Sequence, residues 1–261
     1  MATPTRYPAG VSNEPPGWLF GDLSMLDGPN IYKYFNDFST YDATDWTVTS
    51  SGGGATGTTS LTAGNGGLLL LQSGITENDI QANQLATTSF HFVSGQDVWF
   101  GINFEVSDAT QTDIIFGLAD TFADMTPTDG VYFTKVDGST SLLYNVTAAG
   151  TSTTGTVGTL VAATRYAVGF YYKGSAAVPT LTIYSTIPYA AGTVTRPSPY
   201  YPGGSNAVAQ GSSYAGATFA LTNLPSGATG TTMGFGIHAG SAGAKNLIVD
   251  YVLAASTVSR Y

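Results

Sequence analysis

Apolar and polar residues alternate along much of this chain, and the alternation is clearest between Asp97 and Lys135. In the first run, the residues at 100, 102, 104 and 106 are apolar, and most of those between them are small or polar. This period of two predicts a half-buried β-strand. Two further runs, around Phe116 and Phe133, repeat the pattern, and turn-forming residues separate the three. The spacing predicts an antiparallel meander that forms one wall of a β-sandwich.

Further short strands are predicted on both sides of this meander, and no helical period of 3.6 residues extends over three turns. The stretch 51–60 fits either a flexible linker or, more readily, a hairpin loop. No internal repeat or domain boundary is evident, so we predict one all-β, antiparallel sandwich. The predicted strands outside the meander span residues 34–38, 45–50, 66–72, 80–85, 88–93, 141–146, 166–173, 181–184, 217–224, 232–238 and 245–253.

The composition agrees with this fold and excludes several partners. With 43% hydrophobic and 12% aromatic residues, the chain can fill a large core. A net charge of −9, with only eight lysines and arginines, argues against nucleic acid and against anionic lipid. No stretch reaches the ~18 apolar residues that span a bilayer, and no signal-peptide core is found near the N-terminus. Because the chain has no cysteine, it offers neither disulfides nor thiolate metal sites.

Residues 1–32 break the alternation and read as an edge strand or, in our preferred interpretation, an extended N-terminal arm. Burying its apolar side chains would stabilise the arm by ~1.5–3 kcal/mol each. Ordering its backbone opposes this with ~1–2 kcal/mol per residue. We therefore expect the arm to be ordered only where a preformed groove receives it. The apolar residues are Trp18, Leu19, Phe20, Leu23, Met25 and Leu26.

A second irregular segment, at about residues 186–216, is a Tyr/Pro-rich insertion in the sandwich, which spans 33–261. Its prolines exclude a central strand, and tyrosine is a common anchor of protein interfaces. We predict that the arm and the insertion contact partner proteins. The alternatives are an arm that folds back along its own sandwich and an insertion that is only a surface loop. The tyrosines are Tyr189, Tyr200, Tyr201 and Tyr214.

Several motifs together resemble a family of tailed-phage virion proteins with a concanavalin A-like jelly roll. In chain order they include YFNDF, DWTVT, GGLLLL, INFEVSDATQTD, DGVYF, VGFYY, ALTNLP and AKNLIVDYV. The resemblance covers roughly residues 5–50 and 66–255, except the insertion, where a shorter hairpin would be expected. Proteins of this family are thought to decorate or cement capsids. None of the motifs is catalytic.

A concanavalin A-like fold also raises the question of glycoside hydrolysis, which needs two carboxylates at a set separation. Retaining enzymes of this fold carry Glu-x-Asp-x-x-Glu on a concave strand. The nearest match runs from Glu105 to Asp108, and no second glutamate follows it. The other two glutamates, Glu14 and Glu77, lie in predicted loops. We therefore predict that the protein is not an enzyme.

Sugar binding would need aromatic platforms, which Trp99, Tyr132, Tyr171 and Tyr184 could supply. Sandwich strands favour aromatic residues in any case, so packing is the preferred interpretation. A weak glycan contact is a further partner expectation, and a glycan- or receptor-binding module of a phage fibre or spike is the alternative function.

Metal and catalytic interpretations of the remaining polar residues are weaker. Two loops are rich in aspartate, one at 120–129 and one at 42–45, but neither has calcium ligands at fixed positions. Turn stabilisation explains these aspartates more simply, so neither a metal nor a cofactor is predicted. His91 and His238 lack the companions of a catalytic triad, and the sequon at Asn145 reads as a chance match.

The function that these residues and the resemblance indicate is capsid decoration. The expected partner is the major capsid protein, whose neighbouring subunits the arm and the insertion would clamp. We expect a homo-oligomer, with a trimer favoured, on the outer surface of the virion after synthesis in the host cytoplasm. Removing residues 1–26 is expected to abolish capsid binding while the sandwich still folds.

Overall fold

Two antiparallel β-sheets packed face to face form the computed structural model of the protein, which describes residues 30–52, 56–64, 67–176, 179–187 and 223–258. Each sheet contains seven strands within those ranges. The strands are β1 (Ile31–Asn36), β2 (Trp46–Ser51), β3 (Thr58–Thr62), β4 (Leu68–Gln72), β5 (Ile80–Leu85), β6 (Asp97–Val106), β7 (Thr112–Ala119), β8 (Gly130–Lys135), β9 (Ser141–Ala148), β10 (Thr151–Thr159), β11 (Tyr166–Lys173), β12 (Thr180–Ser185), β13 (Thr232–Ala239) and β14 (Asn246–Thr257).

Strand β14 is central to the first sheet, sheet A, which has the order β12-β11-β6-β14-β4-β3. One edge of β14 pairs with β6, and its other edge is shared between β4 and β1. The second sheet, sheet B, has the order β10-β9-β8-β7-β13-β5-β2. Every pairing in both sheets is antiparallel. The all-β antiparallel sandwich predicted from the sequence is therefore confirmed.

Phenylalanine side chains from both sheets fill the centre of the core. Phe104 of β6 and Phe116 of β7 have ring centroids 4.8 Å apart, and Phe116 lies 5.4 Å from Phe133 of β8. All three side chains are fully buried. Burial of a phenylalanine stabilises the fold by roughly 1.5–3 kcal/mol, so the inward positions of the alternation are the apolar ones.

The prediction that residues 97–135 form one meander is wrong. β6 lies in sheet A between β11 and β14, whereas β7 and β8 are neighbours in sheet B. The turn between β6 and β7 crosses from one sheet to the other. Asp108 holds this turn by accepting the backbone N–H groups of Thr110 and Gln111, each at 2.9 Å. The alternation could not reveal the crossing, because it records which side of a strand faces the core and not which strand is its neighbour.

Other differences from the sequence prediction concern segments with few apolar residues. β3 begins inside the stretch expected to be a hairpin loop, and β10 is rich in threonine and glycine. Both are edge strands with several exposed side chains, so neither has a clear apolar period. Residues 88–93 are not a strand, and Phe90 there makes only an isolated bridge to Thr231. The strand expected at 217–224 lies almost wholly outside the described residues.

A single turn of 3-10 helix, Ala43–Asp45, precedes β2. Its N-cap is Asp42, whose carboxylate accepts the backbone N–H of Thr44 at 2.9 Å. Asp42 is thus a capping residue of the kind that favours short helical turns. Within the described ranges, no helix is long and apolar enough to cross a membrane.

Candidate functional site

The ten residues predicted to contact a partner lie outside the described residues, so their role stays a prediction. The ten residues are Trp18, Leu19, Phe20, Leu23, Met25, Leu26, Tyr189, Tyr200, Tyr201 and Tyr214.

The face of sheet A that is turned away from the core carries a separate aromatic cluster. Trp99 of β6 and Tyr171 of β11 are direct partners in the sheet. Their rings stack with centroids 5.0 Å apart and an interplanar angle of 10°. Tyr184 of β12 packs against them, together with Leu253 and Ala255 of β14. We call these five residues the outer-face cluster.

The centre of the outer-face cluster is too buried to serve as a sugar platform. Trp99 is only 5% exposed, and one face of its ring is covered by Tyr171. Tyr171 and Tyr184 are half-buried and retain some accessible surface. Phe35 of β1, which pairs with Leu253, extends the apolar surface and is 56% exposed. The face therefore combines a buried centre with an exposed apolar margin.

Asp97 orients Tyr171 of this cluster. Its Oδ2 accepts the hydroxyl of Tyr171 at 2.9 Å, and its Oδ1 accepts the backbone N–H of Ser175 at 2.9 Å. The backbone N–H of Asp97 donates to Oγ1 of Thr257 at 2.7 Å. These bonds hold the ring that stacks on Trp99, so the carboxylate has a positioning role.

Sheet B also has an apolar cluster on its outer face, but its own β7–β8 loop covers it. Phe122 and Met125 of that loop belong to the cluster or pack against it. Gly234 of β13 lies under Phe122, because a Cβ atom at this glycine would come within 2.3 Å of the ring. The backbone N–H of Phe122 donates to Oε1 of Gln84 at 3.0 Å. We call this set the loop-covered cluster: Ile80, Ala82, Ile115, Ala119, Phe122 and Tyr132, with Met125 packed on it.

Of the four aromatic residues that the sequence suggested for sugar stacking, the structure brings together three. Trp99, Tyr171 and Tyr184 share the outer face of sheet A. Tyr132 lies on the opposite side of the sandwich, where it is 4% exposed beneath the β7–β8 loop. A single continuous aromatic platform made from all four is therefore not formed.

The two carboxylates closest to the glycosidase pattern are each held by a cation. Glu105 lies 4.0 Å from Arg165, which also binds Asp250 at 3.2 Å. Asp108 lies 3.1 Å from the ammonium of Lys245. Hydrogen bonds from backbone N–H groups of its turn, with help from Lys245, lower the pKa of Asp108 to about 2. Asp108 is thus ionised at neutral pH, whereas the general acid of glycoside hydrolysis is protonated.

A buried lysine at one end of sheet B was not singled out from the sequence. Lys135 is fully buried, and its ammonium donates to the backbone carbonyls of Thr110, at 3.0 Å, and Thr112. Burial lowers the pKa of Lys135 to about 8, and the charge of Asp113 partly offsets this effect. The signal was present in the alternation, since residue 135 follows the inward positions 131 and 133. The ammonium ties β8 to the β6–β7 turn.

Asp113 and His238 are direct partners across β7 and β13, near this lysine. Burial raises the pKa of Asp113 and lowers the pKa of His238, so the fold favours the neutral form of each. Asp113 also accepts the backbone N–H of Asp137. No group of three histidines or carboxylates that could hold a metal ion occurs among the described residues.

The aspartates of the 120–129 loop make turn contacts. Asp120 accepts the backbone N–H of the next residue at 3.0 Å, and Asp124 accepts that of Thr126 at 2.9 Å. Asp129 reaches the backbone N–H of Ala149 at 3.2 Å. Their carboxylates therefore stabilise the loop, as short polar side chains commonly do in turns.

Two further residues noted in the sequence also have structural surroundings. Asn145 of β9 is 7% exposed, and its Nδ2 donates to Oγ1 of Thr134 at 2.8 Å. A side chain this buried is not accessible for glycosylation in the folded chain. His91 has its Nδ1 3.2 Å from the carbonyl oxygen of Gly227, and it lies in a loop, not in the predicted strand.

Comparisons with known proteins identify the fold. No protein-family model matches the sequence, and no curated protein matches it. A protein of unknown function from Shewanella oneidensis MR-1 is 16% identical with a TM-score of 0.54, over 92% of this chain and 93% of that one. The endo-1,3-beta-glucanase of Streptomyces sioyaensis is 11% identical with a TM-score of 0.54, over 89% and 99%. Peanut lectin is 12% identical with a TM-score of 0.51, over 88% and 99%.

The fold is that of the concanavalin A-like lectins and glucanases. Identities this low show the fold alone, and folds of this shape carry many functions. None of these three structures is described as a virion protein, so the resemblance to capsid decoration proteins stays a prediction.

Proposed function

We propose that the protein is a non-enzymatic structural protein of a tailed-phage virion, which decorates the capsid and clamps neighbouring major capsid subunits. The sequence motifs that resemble this virion family support the proposal. Those within the described residues fall mostly on strands of the sandwich, where they explain the fold but carry no chemistry of their own.

The observation that carries the proposal is how the two outer faces are filled. On sheet B, the β7–β8 loop covers the face with Phe122. On sheet A, Trp99 is buried, and towards the other end of β6 the carboxylates of Glu105 and Asp250 face Arg165. A glycosidase would instead need an open groove with one protonated and one ionised carboxylate. The faces therefore favour a structural role over catalysis.

The mechanism would be additive. Each copy would bury modest apolar area on the capsid through the arm and the tyrosine-rich insertion, and many copies together would resist the pressure of packaged DNA. A homo-oligomer, with a trimer favoured, would multiply these contacts on a local symmetry axis. The net charge of −9 suits the outer surface of the shell, because an acidic protein facing the DNA would be repelled.

Copy number in purified virions tests this proposal. Quantitative mass spectrometry, with the major capsid protein as the internal reference, should find hundreds of copies per particle. A few dozen copies or fewer would indicate a tail component, and absence from the virion would overturn the proposal. Polysaccharide hydrolysis that is lost in Glu105→Gln would also contradict it, because that carboxylate has no catalytic role here.

Glycan binding is the alternative, and one observation favours it. Tyr171 and Tyr184 are only half-buried, and the hydroxyl of Tyr171 donates to the carboxylate of Asp97. Sugar sites also combine partly exposed aromatic rings with a carboxylate. A glycan array with the purified protein separates the two functions. Saturable binding that is lost in Tyr184→Ala, with Val161→Ala as the control, would favour a lectin-like module. No saturable binding is expected from a decoration protein.

A further inference from the structure

The side of the sandwich formed by β2 and β3 is open to solvent. β2 is the last strand of sheet B and β3 is the last strand of sheet A, so both sheets end here. Four of the six residues of β2 and three of the five residues of β3 are exposed. Among the described strands, β2 pairs with β5 and β3 pairs with β4. We call these two strands the β2/β3 edge.

Two apolar side chains of the β2/β3 edge are exposed although they lie on the inward side of their strands. Val48 is two residues from the buried Trp46 and is 42% exposed. Leu61 pairs with the buried Leu69 and is 47% exposed. Since residues two apart in a strand, and direct partners in a sheet, share one face, the space between the sheets opens to solvent at this edge.

Hydrogen bonds hold the two strands of the edge in place. Thr59 of β3 donates its hydroxyl to Oδ1 of Asn83 at 2.9 Å, and Nε2 of Gln81 donates to Oγ1 of Thr59 at 2.8 Å. Asn83 and Gln81 are buried residues of β5, and Asn83 is the direct partner of Val48. These bonds join sheet A to sheet B directly behind the edge. A surface that is held in this way loses little conformational entropy on binding.

The β2/β3 edge is also free of charge. Residues 46–76, which include both strands, contain no charged residue, although 10% of the whole chain is charged. Two copies of a chain with a net charge of −9 repel each other. The repulsion is weakest where the contacting surfaces carry no charge, so this edge favours approach of a second copy.

Other strands with an open side are protected against pairing. β1 carries a lysine, Lys33. The register of β10 is broken by a bulge between Thr156 and Gly158, and Thr153 accepts a hydrogen bond from Asn223. Charges and bulges are common means of preventing pairing at an edge. β2 has neither, since it is uncharged and keeps an unbroken register with β5 over all six residues.

We propose that the β2/β3 edge is a self-association surface, on which β2 pairs antiparallel with β2 of a second copy across a two-fold axis. Sheet B would then continue from one copy into the other, and Val48 would be buried at the contact. Strands of six residues overlap over ~20 Å, a small contact, so we expect a dimer that dissociates at roughly micromolar concentration.

The inference does not depend on the proposed function. A two-fold contact uses the same surface on both copies, and it yields a dimer, whereas the trimer favoured from the virion resemblance needs a different contact. Copy number in virions tests the proposed function, and the mass in solution tests this inference, so the two can fail separately.

A scan with single cysteines tests the pairing, because the natural chain has none. An antiparallel two-fold pair sets one residue directly opposite its own copy, with Cβ atoms ~4.5–5.5 Å apart. In Thr47→Cys, Val48→Cys, Thr49→Cys and Ser50→Cys, crosslinking of dimers by a short bismaleimide should therefore be fastest at one position. We expect that rate to be at least about tenfold above the rate of Val161→Cys, because pairing raises the effective concentration of the thiols.

Val161→Cys is the matched control of this scan. Val161 is 57% exposed and lies in the loop before β11, on the opposite side of the sandwich. If all four β2 positions react as slowly as this control, the proposal is overturned.

Sedimentation equilibrium gives a second readout. The wild type should change from monomer to dimer as its concentration rises, and Val48→Glu should weaken the dimer at least about tenfold, because it sets like charges against each other. Val161→Glu, with the same change in net charge, should have little effect. Circular dichroism shows whether each variant is folded.

Three results of this measurement would contradict the pairing. The wild type could remain monomeric above about 100 µM, which would leave the edge to a different partner. It could have the mass of three chains. The two glutamate variants could weaken association equally, which would mean that net charge, and not the β2/β3 edge, controls it.

Discussion

The outer faces of the two sheets are both apolar, yet they are completed in different ways. Sheet B covers its face with its own loop, in which Phe122 is 1% exposed over Gly234. Sheet A presents residues of the strands themselves, with Trp99 buried at the centre and Phe35 exposed at the margin. The described residues cover the sheet B face with a loop, whereas the sheet A face keeps an exposed apolar margin.

This difference shows where binding can take place in a sandwich of this fold. A face covered by a short, hydrogen-bonded loop contributes to stability and offers no surface to a partner. A face with an exposed aromatic residue at its margin offers apolar surface to a partner. We therefore expect substitutions in the loop over sheet B to affect stability more than substitutions at the exposed margin of sheet A.

The largest effect is expected from Phe122→Ala. Loss of a buried phenylalanine costs about 3–5 kcal/mol in other proteins, and here it would also uncover the loop-covered cluster. Urea unfolding measures the change, and Ala123→Ser, an exposed position in the same loop, is the control. A loss below about 1 kcal/mol would mean that the loop does not seal the face, and that the two faces are alike.

Alkaline pH should stabilise the sheet B half through Lys135. Its pKa is about 8 in the folded protein and 10.5 in its ordinary state, so between these values the unfolded chain binds a proton that the folded chain does not. The free energy of unfolding should therefore rise with pH over this window, by up to about 1.4 kcal/mol for each unit of pKa difference. Below pH 8 the lysine is protonated in both states and contributes no pH dependence.

Urea unfolding of the wild type and Lys135→Met between pH 7.5 and about 9.5 measures this effect. The upper limit keeps the measurement below the range in which Tyr34 and Tyr41, whose pKa values burial raises, lose their protons. The variant should show a flatter profile. Equal slopes in the two proteins would contradict a lowered pKa for Lys135.

A smaller effect is expected from Tyr171→Phe on the outer face of sheet A. The substitution removes the 2.9 Å hydrogen bond to Asp97 and keeps the ring that stacks on Trp99. The free energy of unfolding should fall by about 0.5–1.5 kcal/mol. Phe35→Tyr, which adds a hydroxyl at an exposed position of the same face, is the control. If stability does not change, Ser175 and Thr257 are sufficient to hold Asp97.

The smallest effect is expected from Phe35→Ser. Because Phe35 is 56% exposed, its replacement should change the free energy of unfolding by less than about 0.5 kcal/mol. Urea unfolding of the two proteins measures the change. A loss above about 1 kcal/mol would mean that this margin is covered in the folded chain, as the face of sheet B is.

Much of the fold was predictable because burial acts on each residue separately. Phe104, Phe116 and Phe133 stand at alternate positions of their runs, and the structure places all three in the core. The central position of β14 was also readable from its apolar residues on both faces. The candidate site was less predictable: Trp99, Tyr171 and Tyr184 were noted as aromatic residues, but their meeting on one face depends on the order of β6, β11 and β12.

By itself, the sequence determined that the chain forms an antiparallel sandwich and that no cysteine takes part in it. The arm and the insertion stay predictions. Only the tertiary structure decided that β6 and β7 lie in different sheets. It also decided that the buried ammonium of Lys135 donates to backbone carbonyls. The physical reason is the range of the interactions. A period of two depends only on which side of one strand faces the core. Strand neighbours and the partners of buried charges depend on contacts between residues far apart in the chain.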